Sequence, residues 1–130
     1  MITRQQVFTR VATAFATAFT GGKAYEGRNR TPSSMPALWC VEADTYRLKN
    51  NVTFDMKDQQ RRSVFEVQSF SNLSSGATKQ AHDIILLCES VFNEMGYRMT
   101  TCSPLDNQDD ASIKREVARF ERVIGGGDTI

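Results

Sequence analysis

The sequence contains few of the residues that usually form reactive or metal-binding sites. It has one histidine, His82, and three cysteines, Cys40, Cys88 and Cys102, among 130 residues. Three cysteines without a CxxC pair are typical neither of a disulfide framework nor of a zinc site, so we expect reduced thiols and a cytosolic folding compartment. No spacing of His, Cys, Asp and Glu suggests a set of metal ligands. We therefore expect no catalytic residue, no metal and no cofactor.

Long apolar runs and an excess of one charge are also missing. The first ten residues, MITRQQVFTR, lack the apolar core of a signal peptide, and no stretch approaches the roughly 20 apolar residues of a membrane span. The 16 Lys and Arg residues nearly balance the 15 Asp and Glu residues, for a net charge of +1. No global field therefore attracts nucleic acid or an anionic membrane. The sequence predicts a soluble protein without a targeting segment.

The glycine-containing and acidic segments do not match known ligand-binding loops. GGKAYEGRNR and IGGGD have neither the GxGxxG nor the GxxxxGK spacing that holds phosphate, and we expect them to form turns. DNQDDAS lacks the central glycine and the closing glutamate of a calcium-binding EF-hand loop. We expect it to be an exposed loop.

A catalytic role for His82 or Cys88 has little support in the sequence. Asp83 adjoins His82, but adjacent helix positions point in different directions, so this carboxylate does not orient the imidazole. Cys88 follows Leu86 and Leu87 and is expected to pack as a small hydrophobic residue. Both are predicted to be ordinary helix residues.

The hydrophobic pattern predicts two main helices in a single domain spanning all 130 residues. The first helix has Thr3 as its N-cap and is stopped by the pair Gly21–Gly22. The second is capped by Ser74 or Ser75 and ends at Gly96. Its broad apolar face comprises Ala77, Ala81, Ile84, Leu87, Cys88, Val91, Phe92 and Met95.

Aromatic and β-branched residues predict two longer strands. The first covers residues 37–47, and its partner is RSVFEVQSFS. In that partner, Phe65 and Val67 lie on one face, while Glu66 and Gln68 lie on the other. KAYEGR and YRMTTCSP are expected to be shorter strands.

The closing stretch SIKREVARFERVI fits two structures. Ile113, Val117, Phe120 and Ile124 recur at the helical spacing, which favours a helix. A strand would carry polar and apolar residues on both faces, which suits a strand whose polar half is covered by a neighbouring subunit. Periodicity alone favours the helix.

Loops and small basic clusters are the candidate contact regions. The polar segment Lys49–Arg61 is too long for a tight hairpin and is expected to be a contact or tip loop. Arg28 with Arg30 and Arg61 with Arg62 would fit phosphates, although the balanced charge favours salt bridges. A further set of apolar residues would mark an interface if exposed and the core if buried: Met35, Leu38, Trp39, Leu73 and Leu105.

Three consecutive segments near the end of the chain resemble a known family. MGYRMTT (Met95–Thr101) is followed by an acidic loop (Asp106–Asp110) and then by REVARF (Arg115–Phe120). In this order, after a helix, two strands and a long helix, the chain resembles the tail terminator, or tail-completion, proteins of long-tailed bacteriophages. The resemblance covers most of the chain.

The resemblance implies an α+β fold in which a mixed, mostly antiparallel β-sheet is flanked by two main helices. It makes the closing stretch a strand, with GGGD as a turn into a short final strand at Thr129 and Ile130. It also implies a non-enzymatic virion protein, assembled in the host cytoplasm and located in the neck. There a hexameric ring caps the tail tube, ends tail polymerisation and meets the head-tail connector or stopper protein. DNA passes through the lumen without specific binding, and no membrane is involved.

A ring of this kind buries a different patch on each side of one protomer, so strands with interleaved Arg and Glu can pair across subunits. The Lys49–Arg61 loop is then suited to reach the adjoining ring of tube or connector subunits. The candidate subunit or partner contacts are Arg61, Arg62, Arg115, Arg119, Asp109, Asp110 and Trp39.

Two other classes of protein stay open at this point. A head-completion or stopper protein of the neck shares the small size and ring symmetry. A small nucleic-acid-binding regulator would use the arginine pairs and bind DNA in a salt-sensitive way.

Overall fold

The computed structural model describes residues 3–27, 35–47, 61–105 and 112–125, with residues 44–47 described by their backbone alone. Within these residues the structure has two helices and five strands: α1 (Arg4–Ala18), β1 (Lys23–Glu26), β2 (Ala37–Arg47), β3 (Arg61–Ser71), α2 (Ala77–Glu94), β4 (Arg98–Leu105) and β5 (Lys114–Ile124). This confirms the α+β class expected from the sequence.

The five strands form one sheet in the order β1-β2-β3-β5-β4. β1 runs parallel to β2, whereas the pairs β2/β3, β3/β5 and β5/β4 are antiparallel. The mixed, mostly antiparallel sheet is therefore confirmed. The long strand β5 lies inside the sheet, between β3 and β4.

The closing stretch is a strand, so the helix favoured by periodicity is wrong and the strand implied by the resemblance is correct. β5 pairs with β3 along its whole length, with Phe120 opposite Phe65 and Val117 opposite Gln68. The four apolar residues at helical spacing are divided between the two faces of the sheet. Phe120 and Ile124 belong to the main core, whereas Ile113 packs against a small cluster on the other face. Pairing of β5 with β3 on one side and with β4 on the other stabilises the strand, although the apolar residues recur at the helical period.

Both helices cover the same face of the sheet, where they form the main hydrophobic core. α1 contributes Val7, Val11 and Phe15, which recur every four residues and are fully or almost fully buried. Phe92 of α2 stacks on Phe120 of β5, with ring centroids 4.4 Å apart. Burial of each such side chain stabilises the fold by about 1.5–3 kcal/mol.

The N-terminus of α1 has the capping structure expected from its sequence. The Thr3 hydroxyl accepts from the Gln6 backbone N–H, and the Gln6 side chain accepts from the Thr3 N–H, which forms a capping box. α2 differs from the expectation. Its N-cap is Gly76 in the left-handed region, without a side-chain cap, because Ser74 and Ser75 lie in the preceding turn.

The C-terminus of α2 ends in a Schellman motif, in agreement with the predicted stop at Gly96. Gly96 has φ +85°, its N–H donates to the Asn93 carbonyl, and the Tyr97 N–H donates to the Phe92 carbonyl. The rings of Tyr97 and Phe92 meet edge to face with centroids 5.4 Å apart. This turn directs the chain from α2 into β4.

Candidate functional site

The sheet face opposite the two helices, here called the helix-free face, carries most of the predicted contact residues. Directly paired residues of neighbouring strands lie on the same face. The register therefore places Arg62, Arg115 and Arg119 on the helix-free face and Arg61 on the helix-covered face. Three of the four predicted arginines thus share a surface. Asp109 and Asp110, residues 49–60 of the predicted contact loop and the predicted final strand at residues 129–130 lie outside the described residues.

Trp39 lies within a small cluster on the helix-free face. It is only 4% exposed and packs with the buried residues Ala37 and Phe70, surrounded by half-buried side chains. Leu38 is buried on the helix-covered face, whereas Leu73 and Leu105 are exposed. Trp39 therefore presents little surface to a partner in this structure.

Two of the polar side chains of β5, Glu116 and Arg119, have partners inside the chain. On the helix-free face, Arg119 forms an ion pair with Glu66 of β3, with Arg119 Nη2 and Glu66 Oε2 3.6 Å apart. The Arg119 side chain is 47% exposed, so solvent screens this pair. On the other face, the polar residue Glu116 is held by partners from α2 and β4.

Glu116 is the centre of a cluster that the sequence did not reveal. Its carboxylate is 2.9 Å and 3.1 Å from Nδ1 of His82, and the Cys102 thiol donates to Glu116 Oε1 over 3.1 Å. Glu116 is only 7% exposed, whereas His82 and Cys102 face solvent. The hydrogen bond and the charge of Glu116 raise the pKa of His82. Sequence reasoning considered Asp83, which adjoins His82, and missed a partner 34 residues away.

The surroundings of the cysteines disfavour the thiolate form. A catalytic thiolate needs a neighbouring cation or base that lowers its pKa. Here desolvation and the Glu116 carboxylate raise the pKa of Cys102 to about 12. Burial likewise raises the pKa of Cys88 to about 12 and that of Cys40 far above its usual range. Cys88 packs in the core, as its sequence context predicted.

A second group of cations, here called the arginine cleft, lies where α2 turns into β4. A cavity of about 380 Å³ there is lined by Arg62, Gly96, Arg98, Met99, Thr100, Glu121, Arg122 and Val123. Arg98 lies opposite Glu121 in the sheet, and Arg62 lies opposite Val123. Arg122 is structural, because its Nη1 donates to the Met95 carbonyl at the end of α2 over 2.5 Å. Sequence reasoning identified Arg62 but not Arg98, whose position depends on the register between β4 and β5.

A larger, open hollow of about 940 Å³ lies at the other end of the molecule, beside the N-terminus of α2. Lys79, His82 and Lys114 line it together with Leu73, which is 46% exposed. Two lysines and a histidine at a helix N-terminus give this hollow a positive character. Nothing in its lining specifies a ligand.

The described part of the chain contains no group of three or more His, Cys, Asp or Glu residues placed to hold a metal ion. Among those same residues, no helix is long and apolar enough to cross a membrane.

Comparison with known proteins gives a likeness of fold without a likeness of sequence. No protein family model matches the chain, and no curated protein matches it either. Among solved structures, a chain from the virion of a native gene transfer agent particle superimposes with a TM-score of 0.54. The likeness covers 92% of this chain and 92% of that chain, at 9% sequence identity. The protein therefore has, over nearly its whole length, the fold of a polypeptide found in a gene transfer agent virion.

Proposed function

We propose that this protein is a structural component of a phage-like virion and serves as the tail terminator in the neck. Six copies form a ring that caps the tail tube, stops the addition of further tube subunits and offers its opposite face to the head-tail connector or stopper protein. DNA passes through the lumen without specific binding. The protein acts by binding rather than by catalysis.

The observation that carries this proposal is the likeness of fold to the virion chain, which extends over 92% of both chains. A virion protein of about this length is also what the resemblance of the sequence to tail terminators implies. The likeness of fold supports a virion role, and the terminator role within the virion rests on the resemblance of the sequence.

The chemistry of the surface supports a binding role. The helix-free face carries interleaved arginines and glutamates, and Arg62, Arg98 and Val123 are exposed along one end of it. Charged residues around exposed apolar ones are typical of the rim of a protein interface. The thiols have raised pKa values, which favour the protonated, unreactive form.

The experiment that tests the proposal is to deplete the protein during virion assembly and to measure tail lengths by electron microscopy. A terminator that stops tube growth predicts tubes of irregular, mostly excessive length and heads without tails. A stopper or head-completion protein instead predicts tails of normal length that fail to join heads. Normal, joined particles would contradict a neck function of either kind.

A further inference from the structure

We propose that neighbouring copies of this chain join edge to edge, with strand β1 of one copy pairing with strand β4 of the next. This inference rests on the proposed ring and names the two strands through which its subunits meet. Among the described residues, the sheet ends in β1 on one side and in β4 on the other. Every residue of both strands is described.

Both of these strand edges are open to solvent. Every residue of β4 except Met99 is exposed, and Lys23 and Glu26 of β1 are exposed as well. Within the described ranges, no strand pairs with the outer side of β1 or of β4. An unpaired strand edge offers a row of backbone N–H and C=O groups to another strand.

The hydrogen bonds of β1 show which of its backbone groups face outward. The Gly27 N–H, just after β1, donates to the Cys40 carbonyl of β2 over 3.2 Å, and the Lys23 N–H donates on the same side. The backbone groups of successive residues point alternately to the two sides of a strand. The N–H and C=O groups of Ala24 and Glu26 therefore face the free edge of β1.

The register extends the same alternation across the sheet to β4. In an antiparallel pair, directly opposite residues either exchange backbone hydrogen bonds or both face away from each other. Applied from Cys40 outward, this rule gives one hydrogen-bonded pair at each antiparallel boundary: Trp39 with Gln68, Val67 with Ala118, and Val117 with Ser103. Ser103 thus faces β5, so Cys102 and Pro104 face the free edge of β4.

Two features of β4 agree with this orientation. Pro104 has no N–H, and a proline within a sheet is found where that side of the strand faces solvent. The Thr100 hydroxyl donates to the Arg119 carbonyl over 3.3 Å, as expected if the backbone groups of Arg119 point towards β4. The free edge of β4 therefore offers the N–H and C=O of Cys102 and the C=O of Pro104.

The two free edges match in spacing and in length. Each presents two outward residues that are two positions apart, Ala24 with Glu26 on β1 and Cys102 with Pro104 on β4. On β4, a β-bulge near the start of the strand and the missing N–H of the proline limit pairing to a short partner. The four residues of β1 fit this short stretch.

The strand directions make the pairing between copies antiparallel. Within one chain, β1 and β4 run in opposite directions. A rotation axis along the strands therefore brings β1 of one copy antiparallel to β4 of the next, with Glu26 opposite Cys102 and Ala24 opposite Pro104. Glu26 and Cys102 then exchange two backbone hydrogen bonds, and the Ala24 N–H donates a third to the Pro104 carbonyl. Each copy uses a different edge for each neighbour, and such heterologous contacts close into a ring when the rotation allows it.

The test removes one outward N–H from each edge and measures self-association by analytical ultracentrifugation. Cys102→Pro acts on β4 and Glu26→Pro acts on β1, and in both the proline ring replaces an N–H that faces the neighbouring copy and not the chain's own sheet. We expect the association constant of each proline variant to fall at least about tenfold. Cys102→Ala and Glu26→Ala are the matched controls, because they lose the same side chains, keep the N–H and should assemble like the wild type.

An equal mixture of the two proline variants tests the direction of the contact. The intact β4 of Glu26→Pro pairs with the intact β1 of Cys102→Pro, and the resulting complex has no intact edge left. We therefore expect the mixture to form dimers and nothing larger, whereas each variant alone stays monomeric. A Glu26→Pro variant that dimerises by itself would show that β4 pairs with a second β4, and would overturn the proposal.

A disulfide test avoids proline, in case thermal unfolding shows that a proline variant is not folded. Glu26→Cys places a thiol opposite Cys102 of the neighbouring copy, while Cys40 and Cys88 are buried. Oxidation should then give disulfide-linked chains longer than dimers on a non-reducing gel. The same variant combined with Cys102→Ala should give dimers at most.

The outcomes separate this contact from the ring itself. Wild-type protein that stays monomeric at every concentration and salt level would contradict the ring and this contact together. Wild-type rings that still form in both proline variants, or a Glu26→Cys variant that assembles without disulfide-linked chains longer than dimers, would overturn this contact and leave the ring intact.

Discussion

At the scale of single residues, the buried Glu116 carboxylate links three elements, since His82 of α2 and Cys102 of β4 both bind it. Sequence inspection could not find this cluster, because its members are separated by 14 and 34 residues and are brought together only by the register of β5 and the position of α2. It could predict that Cys88 is an inert core residue, because that follows from the apolar face of one helix.

The His82–Glu116 pair predicts a pH-dependent contribution to stability. Glu116 raises the pKa of His82 in the folded state above its ordinary value of 6.5. The stabilisation is therefore fully present below pH 6.5 and is lost as the pH rises through the raised pKa. Because His82 is half exposed, we expect His82→Ala to lower the free energy of unfolding by no more than about 1 kcal/mol at low pH and by less at high pH. Urea unfolding across the pH range measures this difference.

Lys79→Ala is the matched control for that measurement, because Lys79 is an exposed residue on the same helix that does not contact Glu116. Its effect should not vary over the pH range in which His82 titrates. If the difference in the free energy of unfolding between wild type and His82→Ala grew with pH, the raised pKa of His82 would be contradicted.

We expect Cys102 to be alkylated slowly, although it is exposed, because its pKa is raised. Its pKa of about 12 leaves little thiolate near neutral pH, and the thiolate is the reactive form. We expect iodoacetamide to modify it much more slowly than a free cysteine, and Glu116→Gln to increase the rate by removing the negative charge. The rate is followed by mass spectrometry of the intact protein. Alkylation of the wild type as fast as that of free cysteine would contradict the raised pKa.

At the scale of elements, short-range sequence signals predicted many of the helix and strand ends. The capping box of α1, the limits of β2 and the stop of α2 all follow from short-range rules. β5 does not, because its apolar residues serve two faces while its polar residues bind partners from other elements. The residue pattern of one strand does not indicate which residues of other elements will contact it. The α2 N-cap differed for a similar reason, since the turn before it places Gly76, and neither serine, at the cap.

The α2–β4 turn predicts that Gly96 is more sensitive to substitution than other left-handed glycines. A Cβ at Gly96 would lie 3.1 Å from the Arg122 guanidinium that caps the helix, in addition to the unfavourable φ of +85°. We expect Gly96→Ala to lower the free energy of unfolding by about 1–3 kcal/mol. Gly76→Ala is the control, because φ is +83° there and a Cβ would meet nothing within 4 Å.

Urea unfolding of the two variants isolates the contact with Arg122 from the backbone strain that both share. Gly96→Ala should be the less stable of the two. Equal losses would mean that Arg122 moves aside without cost and does not hold the end of α2 as described.

At the scale of the whole molecule, the positions of the charged residues on the sheet are more informative than the net charge. The net charge of +1 gave no indication of a binding surface. The register places exposed Arg62 and Arg98 at one end of the sheet, while the acidic segment 106–111 follows the other end of β4. Sequence alone identified Arg62, Asp109 and Asp110 as contact candidates. It could not show that Arg62 shares one end of the sheet with Arg98, because that position depends on the register of β3, β5 and β4.

The location of the protein in particles is the decisive measurement for the proposed role as a tail terminator of a phage-like virion. The measurement is electron microscopy of producer-cell lysate with a gold label attached to the protein. If the protein is a tail terminator, we expect label at the head-proximal end of tails, whether or not a head is attached. Label confined to heads without tails, or absent from both heads and tails, would contradict it.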